Sequence, residues 1–334
     1  MKKFVNDVDN ILKEALEGFG RAHADLVTVH YEPTFVTRAT PTKKGKVALI
    51  SGGGSGHEPL HAGFVGEGML DAACPGTVFT SPTPDQMMAA AEAVENGGGV
   101  LFIVKNYEGD VMNFEMAAEM VSCEQATVLT NDDCAVEDST YTTGRRGVAG
   151  TVVVEKVVGA LAEQGGDLEA CRALGERVNA QTRSMGVALT SCTVPAAGTP
   201  TFEIGEDEIE MGVGIHGEPG RERIKMKSAD DIVAQMMDAI VSDLGGGSGE
   251  VLLLVNGFGA TPSMELYLVY EAAAKRLEGK GFTIARSLVG NLCTSLDMAG
   301  CSLTVTRLDD DLKRYWDAPV HTTGLRWAAG ARQR

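Results

Sequence analysis

The chain is poor in features that would point to many function classes. No two of its seven cysteines form a CxxC pair, and their number is odd. This predicts reduced thiols rather than a disulfide framework, and it removes the usual cysteine ligands of a zinc site. Aromatic residues are scarce, at 5 %, so the core must be built from Val, Leu, Ile, Ala and Met. Basic residues are outnumbered, with a formal net charge of −17. Nucleic acids and anionic membranes both need basic patches, so neither is expected as a partner. No apolar run approaches the roughly 20 residues of a membrane span. The N-terminus carries charge but lacks the apolar stretch of a signal peptide. These absences predict a cytoplasmic protein.

Glycine, in contrast, is abundant: 41 of 334 residues, above the usual share of roughly 7 %. The glycines fall mostly at the ends of apolar runs. Val47–Ile50, Val100–Val104 and Ala126–Thr130 read as buried strands. Helical patterns separate them at Pro84–Asn96 and Asn113–Cys123, and an amphipathic helix is predicted over 7–22. Strands that are apolar throughout and alternate with helices imply a parallel sheet covered on both faces. Further helices are expected over 148–164 and 168–183. Strand character returns at Ser184–Leu189. Ser228 reads as the N-cap of a helix over 232–241, and Val251–Val255 as another buried strand. The expected fold is two α/β domains, a largely parallel first one (1–185) and a smaller second one (186–334).

The segment Ser51-Gly-Gly-Gly-Ser-Gly-His57 follows the first buried strand and is read as a glycine-rich turn. Glycine lets backbone N–H groups approach a small ligand, and a histidine there can exchange a proton near pH 7. The segment is not a nucleotide loop. Ser51 stands where a P-loop needs glycine, and His57-Glu58 where it needs Lys-Ser/Thr; Gly54-x-Gly56 is not completed by the third glycine of a dinucleotide fingerprint. A second glycine-framed histidine is His216, in Gly212-Val-Gly-Ile-His216-Gly-Glu-Pro219. A neutral imidazole nitrogen is a competent nucleophile toward an activated carbonyl. The alternative is a hydrogen-bonded structural histidine, the reading given to His23, His30, His61 and His321. Lys105 and Asp110 follow the next strand. They fit either a ligand-facing pair, with Asp110 accepting a hydroxyl proton, or a solvated loop. Asp132 and Asp133 fit either a site or a helix cap. The likeness of Gly56-His-Glu-Pro59 to His216-Gly-Glu-Pro219 is read as coincidence.

Together with Ala73-Cys-Pro-Gly76, Phe79–Asp85, Lys105–Asp110, Thr143–Ala149, Thr193–Gly198, Cys293–Met298 and Trp316–Val320, these segments occur in an order that resembles the substrate-binding K subunit of dihydroxyacetone kinase. The resemblance runs from residue 1 to about 327. It implies that His216 bonds covalently to the ketone carbon as a hemiaminal, and that Gly54, Ser55, Gly56, His57, Lys105 and Asp110 bind the substrate. His57 would act as acid/base and Asp110 as base. It also implies no metal or cofactor on this chain. ADP or ATP with magnesium is expected on a separate nucleotide-binding L subunit, because the chain stops at Arg334, soon after Trp316-Asp-Ala-Pro. A phosphotransferase phosphoryl-donor subunit and a homodimer are further expectations. Rival readings are a kinase subunit for a ketotetrose such as erythrulose, and a non-catalytic dihydroxyacetone-sensing coactivator. The tail from Arg326 is expected to be unpacked.

Overall fold

The computed structural model describes residues 2–330. The spacing of Leu12, Leu16 and Phe19 produces α1 (Ile11–Ala22), which turns Leu16 into the core. After it come β1 (Val27–Tyr31), β2 (Thr34–Arg38), β3 (Ala48–Ser55), β4 (Gly66–Glu67), β5 (Ala72–Val78), α2 (Pro84–Val94), β6 (Val100–Lys105), α3 (Glu108–Met120), β7 (Gln125–Thr130), α4 (Gly150–Glu163) and α5 (Leu168–Ala180). The first sheet has the order β1-β2-β5-β3-β6-β7. Its last four strands run parallel, and β1 and β2 add an antiparallel edge.

The second half contains β8 (Thr182–Ala188), β9 (Glu208–Met211), β10 (Glu222–Lys225), α6 (Ala229–Asp243), β11 (Gly249–Gly257), α7 (Ser263–Gly279), β12 (Phe282–Gly290), β13 (Gly300–Arg307) and α8 (Asp310–Asp317). The second sheet, β10-β9-β8-β13-β11-β12, is antiparallel except for the β11–β12 pair. Ser228 caps α6 as its position predicts, accepting the Asp231 N–H.

Helix α4 carries Val152, Val153, Val154, Val157 and Val158, apolar around most of its circumference. A helix of that kind must be covered on every side. It lies in one apolar cluster that reaches from Leu49 and Ile103 of the first sheet to Leu252 and Leu254 of the second. Both sheets thus share a wall, and their loops meet at one end of it.

Three expectations are corrected. The glycine segment is not a turn: Gly52, Gly53 and Gly54 continue β3 and pair with Cys74, Pro75 and Gly76 of β5. A Cβ on Gly54 would come 2.6 Å from Thr80 N, so the glycines admit close neighbouring chain. Helix α3 begins at Glu108, not at 113, which puts Asp110 in its first turn. The chain after Arg326 is partly packed: Arg326–Trp327 form β15, beside β14 (Val320–Thr322), which pairs with β4. Trp327 is buried and donates its indole N–H to Ala318 O at 2.9 Å. Residues 331–334 of the expected tail lie outside the described residues.

Candidate functional site

The parallel strands β3 and β6 end on the same side; His57 follows β3, whereas Lys105 is the last residue of β6 and Asp110 lies in the first turn of α3, not in the strand-end loop expected for both. His57 is 1 % exposed. Its ring stacks on Phe79 with centroids 4.9 Å apart, and Phe79 itself has φ +54°, a conformation rarely adopted outside glycine. Nδ1–H of His57 donates to Thr294 O at 2.8 Å. A neutral ring with its proton on Nδ1 keeps a lone pair on Nε2. That Nε2 is buried and has no hydrogen-bond partner among the described residues. Burial, then the neighbouring His216 and Lys105, pushes the His57 imidazolium well below the ordinary histidine range. The ring is therefore neutral at pH 7 and able to take a proton.

The segment after β12 holds this loop in place. Thr294 N–H donates to His57 O, Leu296 N–H to Gly56 O, and Thr294 Oγ1 to Glu58 O. The second half of the chain thereby fixes a histidine of the first.

His216 arrives from the loop after β9. Its ring meets His57 edge to face at 4.7 Å, Tyr107 at 4.6 Å and Phe79 at 5.2 Å. Glu218 accepts the His216 backbone N–H at 2.9 Å, and its other oxygen lies 3.3 Å from His216 Nδ1. The proton sits on Nδ1, leaving the lone pair on Nε2. Burial raises the Glu218 carboxyl, but His216 and Arg146 outweigh it and bring it to about 2. Gly214 must lack a side chain, because a Cβ there would occupy the place of the Glu218 carboxylate. Arg146 pairs with the buried Asp133 and donates to Gly212 O at 2.7 Å, tying the His216 loop to the first half.

The likeness between the two histidine segments has a structural counterpart. Glu58 accepts the N–H of Gly56 as Glu218 accepts that of His216. In both, a glutamate before proline folds back onto the amide two residues earlier.

Lys105 and Asp110 lie behind Gly53, and both are buried. Asp110 Oδ2 faces Lys105 Nζ at 3.3 Å, and Asp110 Oδ1 has no partner among the described residues. Asp110, Gly54, Phe79, Tyr107, Tyr141 and His216 line one cavity of about 610 Å³. Ser55, in contrast, donates to Gly76 O, within the sheet. The structure thus joins His57, Asp110, Lys105 and His216 at one place. Asp132 caps α4 through the N–H groups of Val148 and Gly150.

Sequence reasoning missed several members. Phe79 and Tyr107 had no periodic signal, and Glu218 was visible only as part of a quoted segment. His61, read as structural, bonds Lys105 directly at 2.9 Å. Its spacing from His57 was the one available hint. Among the described residues, no cluster of His, Cys, Asp or Glu is arranged to hold a metal ion, and no helix is long and apolar enough to cross a membrane.

Comparisons with known proteins follow the same outline. The Dak1 domain family model matches residues 17–324. The chain is 49 % identical to the PEP-dependent dihydroxyacetone kinase, dihydroxyacetone-binding subunit DhaK, of Escherichia coli (strain K12), over 98 % of this chain and 99 % of that one. It is 51 % identical to the PTS-dependent dihydroxyacetone kinase 1, dihydroxyacetone-binding subunit DhaK, of Listeria innocua serovar 6a, over 93 % and 95 %. Among solved structures, the dihydroxyacetone kinase operon co-activator Dha-DhaQ superposes with a TM-score of 0.88 at 33 % identity, covering 94 % of this chain and 97 % of that one.

Proposed function

The chain belongs to the Dak1 domain family, and from that membership we propose that it is the dihydroxyacetone-binding subunit of a multi-subunit, phosphoenolpyruvate-dependent dihydroxyacetone kinase. The observation that carries the mechanism is the meeting of His216 and His57, each with Nδ1 engaged and its lone pair on Nε2.

In this reading His216 Nε2 attacks the ketone carbon. The N–C bond forms as the C=O π pair moves to oxygen, which takes up a proton from solvent, and the imidazolium so formed passes its Nδ1 proton by way of Glu218 to solvent to leave the neutral hemiaminal. Positive charge arriving on the imidazole faces the Glu218 carboxylate, and a charge-assisted hydrogen bond is stronger than a neutral one. A plain polyol has no carbonyl to attack, so capture selects ketones. It also fixes the substrate before transfer and lowers the entropy cost of reaction. The attacking hydroxyl then gives its proton to Asp110 Oδ1 or His57 Nε2, both buried proton acceptors without partners among the described residues. Of the three residues expected to supply backbone contacts, Gly54 lines the cavity, whereas the Gly56 N–H is already given to Glu58 and the Ser55 C=O to Phe79 N–H.

Nucleotide with magnesium, carried by a separate L subunit and recharged by a phosphotransferase donor, supplies the phosphoryl group. This chain is the ketone-holding half, in the cytoplasm and as a homodimer. A second reading, a coactivator that senses dihydroxyacetone without catalysis, is supported by the likeness to the co-activator structure. The presence of His57, Lys105 and Asp110 beside His216 favours the kinase.

The test is a native mass spectrum of the chain with dihydroxyacetone, beside His216→Ala. An adduct on the wild type alone, stable to collisional activation, is expected. No adduct, or equal adducts on both, overturns covalent capture at His216.

A further inference from the structure

Lys105 Nζ has three partners: Gly52 O at 3.1 Å, Asp110 Oδ2 at 3.3 Å and His61 Nε2 at 2.9 Å. An ammonium has three N–H donors and no acceptor. The match is one to one, and it requires the lone pair of His61 on Nε2. The ring proton is then on Nδ1, which lies 2.6 Å from Glu155 Oε1 and 3.0 Å from Ser51 Oγ. Ser51 spends its own proton on Ile103 O, so Nδ1–H is the donor on this side. A line of hydrogen bonds thus runs from Glu155 in α4 through His61 and Lys105 to Asp110 in α3.

Glu155 is out of place in any merely structural account. It is fully buried in a helix of valines. A carboxylate there is costly to desolvate, and burial pushes it well above the usual carboxylate range. Its second oxygen has no partner among the described residues. An apolar side chain would pack there at lower cost, so the residue is explained by the histidine it orients.

We propose that His61 and Glu155 are positioning residues that hold Lys105 against Asp110 and set the proton inventory behind the transferring hydroxyl. The inference rests on the kinase reading. The same line has a second arrangement with the same proton count. One proton moves from Lys105 to His61 Nε2 as another moves from His61 Nδ1 to Glu155. Asp110 faces an ammonium in the first arrangement and an amine in the second, so its strength as a base depends on the pair. The other titratable groups facing this line are His57, toward His61 and Lys105, and Cys293, toward Lys105 and Glu155.

The experiment uses the full chain with its nucleotide-binding partner and dihydroxyacetone, and reads kcat against pH together with adduct occupancy on His216. His61→Leu is expected to lower kcat at least tenfold at undiminished occupancy. His61→Gln, whose amide oxygen can accept from Lys105, is expected to recover much of the loss. Glu155→Gln is expected to fold and to move a limb of the kcat–pH profile by half a pH unit or more. A wild-type profile and kcat in His61→Leu and Glu155→Gln overturn the proposal, as does equal loss in His61→Leu and His61→Gln. Should His61→Leu fail to fold, the Glu155→Gln profile decides alone. A wild-type assembly that forms adduct but no phosphorylated ketose overturns the kinase reading, and this inference with it.

Discussion

The rings of His57 and His216 meet edge to face, centroids 4.7 Å apart, although one follows a strand of the first sheet and the other a strand of the second. Each is held from outside its own loop or by its own glutamate: His57 by Thr294 O, His216 by Glu218. A reacting carbon and a transferring hydroxyl of one small ketose can therefore be served from two directions at once.

Asp110→Asn separates capture from transfer. The amide keeps the size of the side chain but accepts a proton poorly. Ketone capture at His216 should remain near wild type, while phosphoryl transfer falls by 10²-fold or more, as expected for loss of a general base. Adduct occupancy and turnover, measured on the same preparation, check this. Retained turnover would remove Asp110 from its role.

Glu218→Gln tests the orientation of His216, the proposed nucleophile. Hydrogen bonds to charged groups contribute about 1.5–3 kcal/mol, so adduct formation should weaken roughly 10- to 100-fold. The Glu218 carboxyl is depressed to about 2. Its contribution is complete above its ordinary value of 4.5 and fades only as pH falls toward 2. The variant's deficit should therefore be present throughout pH 5–8, measured by titration with dihydroxyacetone.

Two glycine substitutions should move stability in opposite directions. A Cβ at Gly54 meets backbone at 2.6 and 2.8 Å, and overpacking of this kind costs about 1–3 kcal/mol. Gly18 lies within α1 with nothing within 4 Å of its Cβ position, so Gly18→Ala should stabilise by about 0.5–1 kcal/mol. Denaturant unfolding of both variants checks the contrast; a neutral Gly54→Ala would show that the loop at Thr80 yields.

Lys156 gives a pH-dependent stability difference. Burial lowers it to about 7, from 10.5, although it donates to Tyr315 O at 2.8 Å. Between those two values the unfolded chain binds the extra proton, so wild-type stability gains from this group as pH rises. The stability of Lys156→Met relative to wild type should accordingly be highest below pH 7. It should then fall by about 1.4 kcal/mol per pH unit toward pH 10. A pH-independent difference would contradict the burial of a neutral lysine.

Much of the first sheet was legible because β3 and β6 are buried on both faces, and such strands read as unbroken apolar runs. The His57 and His216 loops were legible because glycine beside histidine is a local signal. The early start of α3 was not, since Gly109 and Asp110 weaken helical propensity, and that turn is supported by a tertiary contact, Glu108 N–H to Tyr141 O, beside its local bond from Val111 N–H to Tyr107 O. The strand at Arg326–Trp327 was hidden for a related reason: two residues make no pattern, and their partner is β14.

By itself the sequence determined the α/β alternation, the placing of His57, Lys105 and Asp110 at or just past the carboxyl ends of parallel strands, and the glycine framing of His216, because each depends on neighbours along the chain. Tertiary structure alone decided that His216 stands against His57, that Thr294 assigns the His57 tautomer, and that Glu155 reaches Lys105 through His61. Those relations join residues from separate elements. Their energies come from burial and hydrogen-bond geometry, which exist only once α4 has brought the two sheets onto a common core.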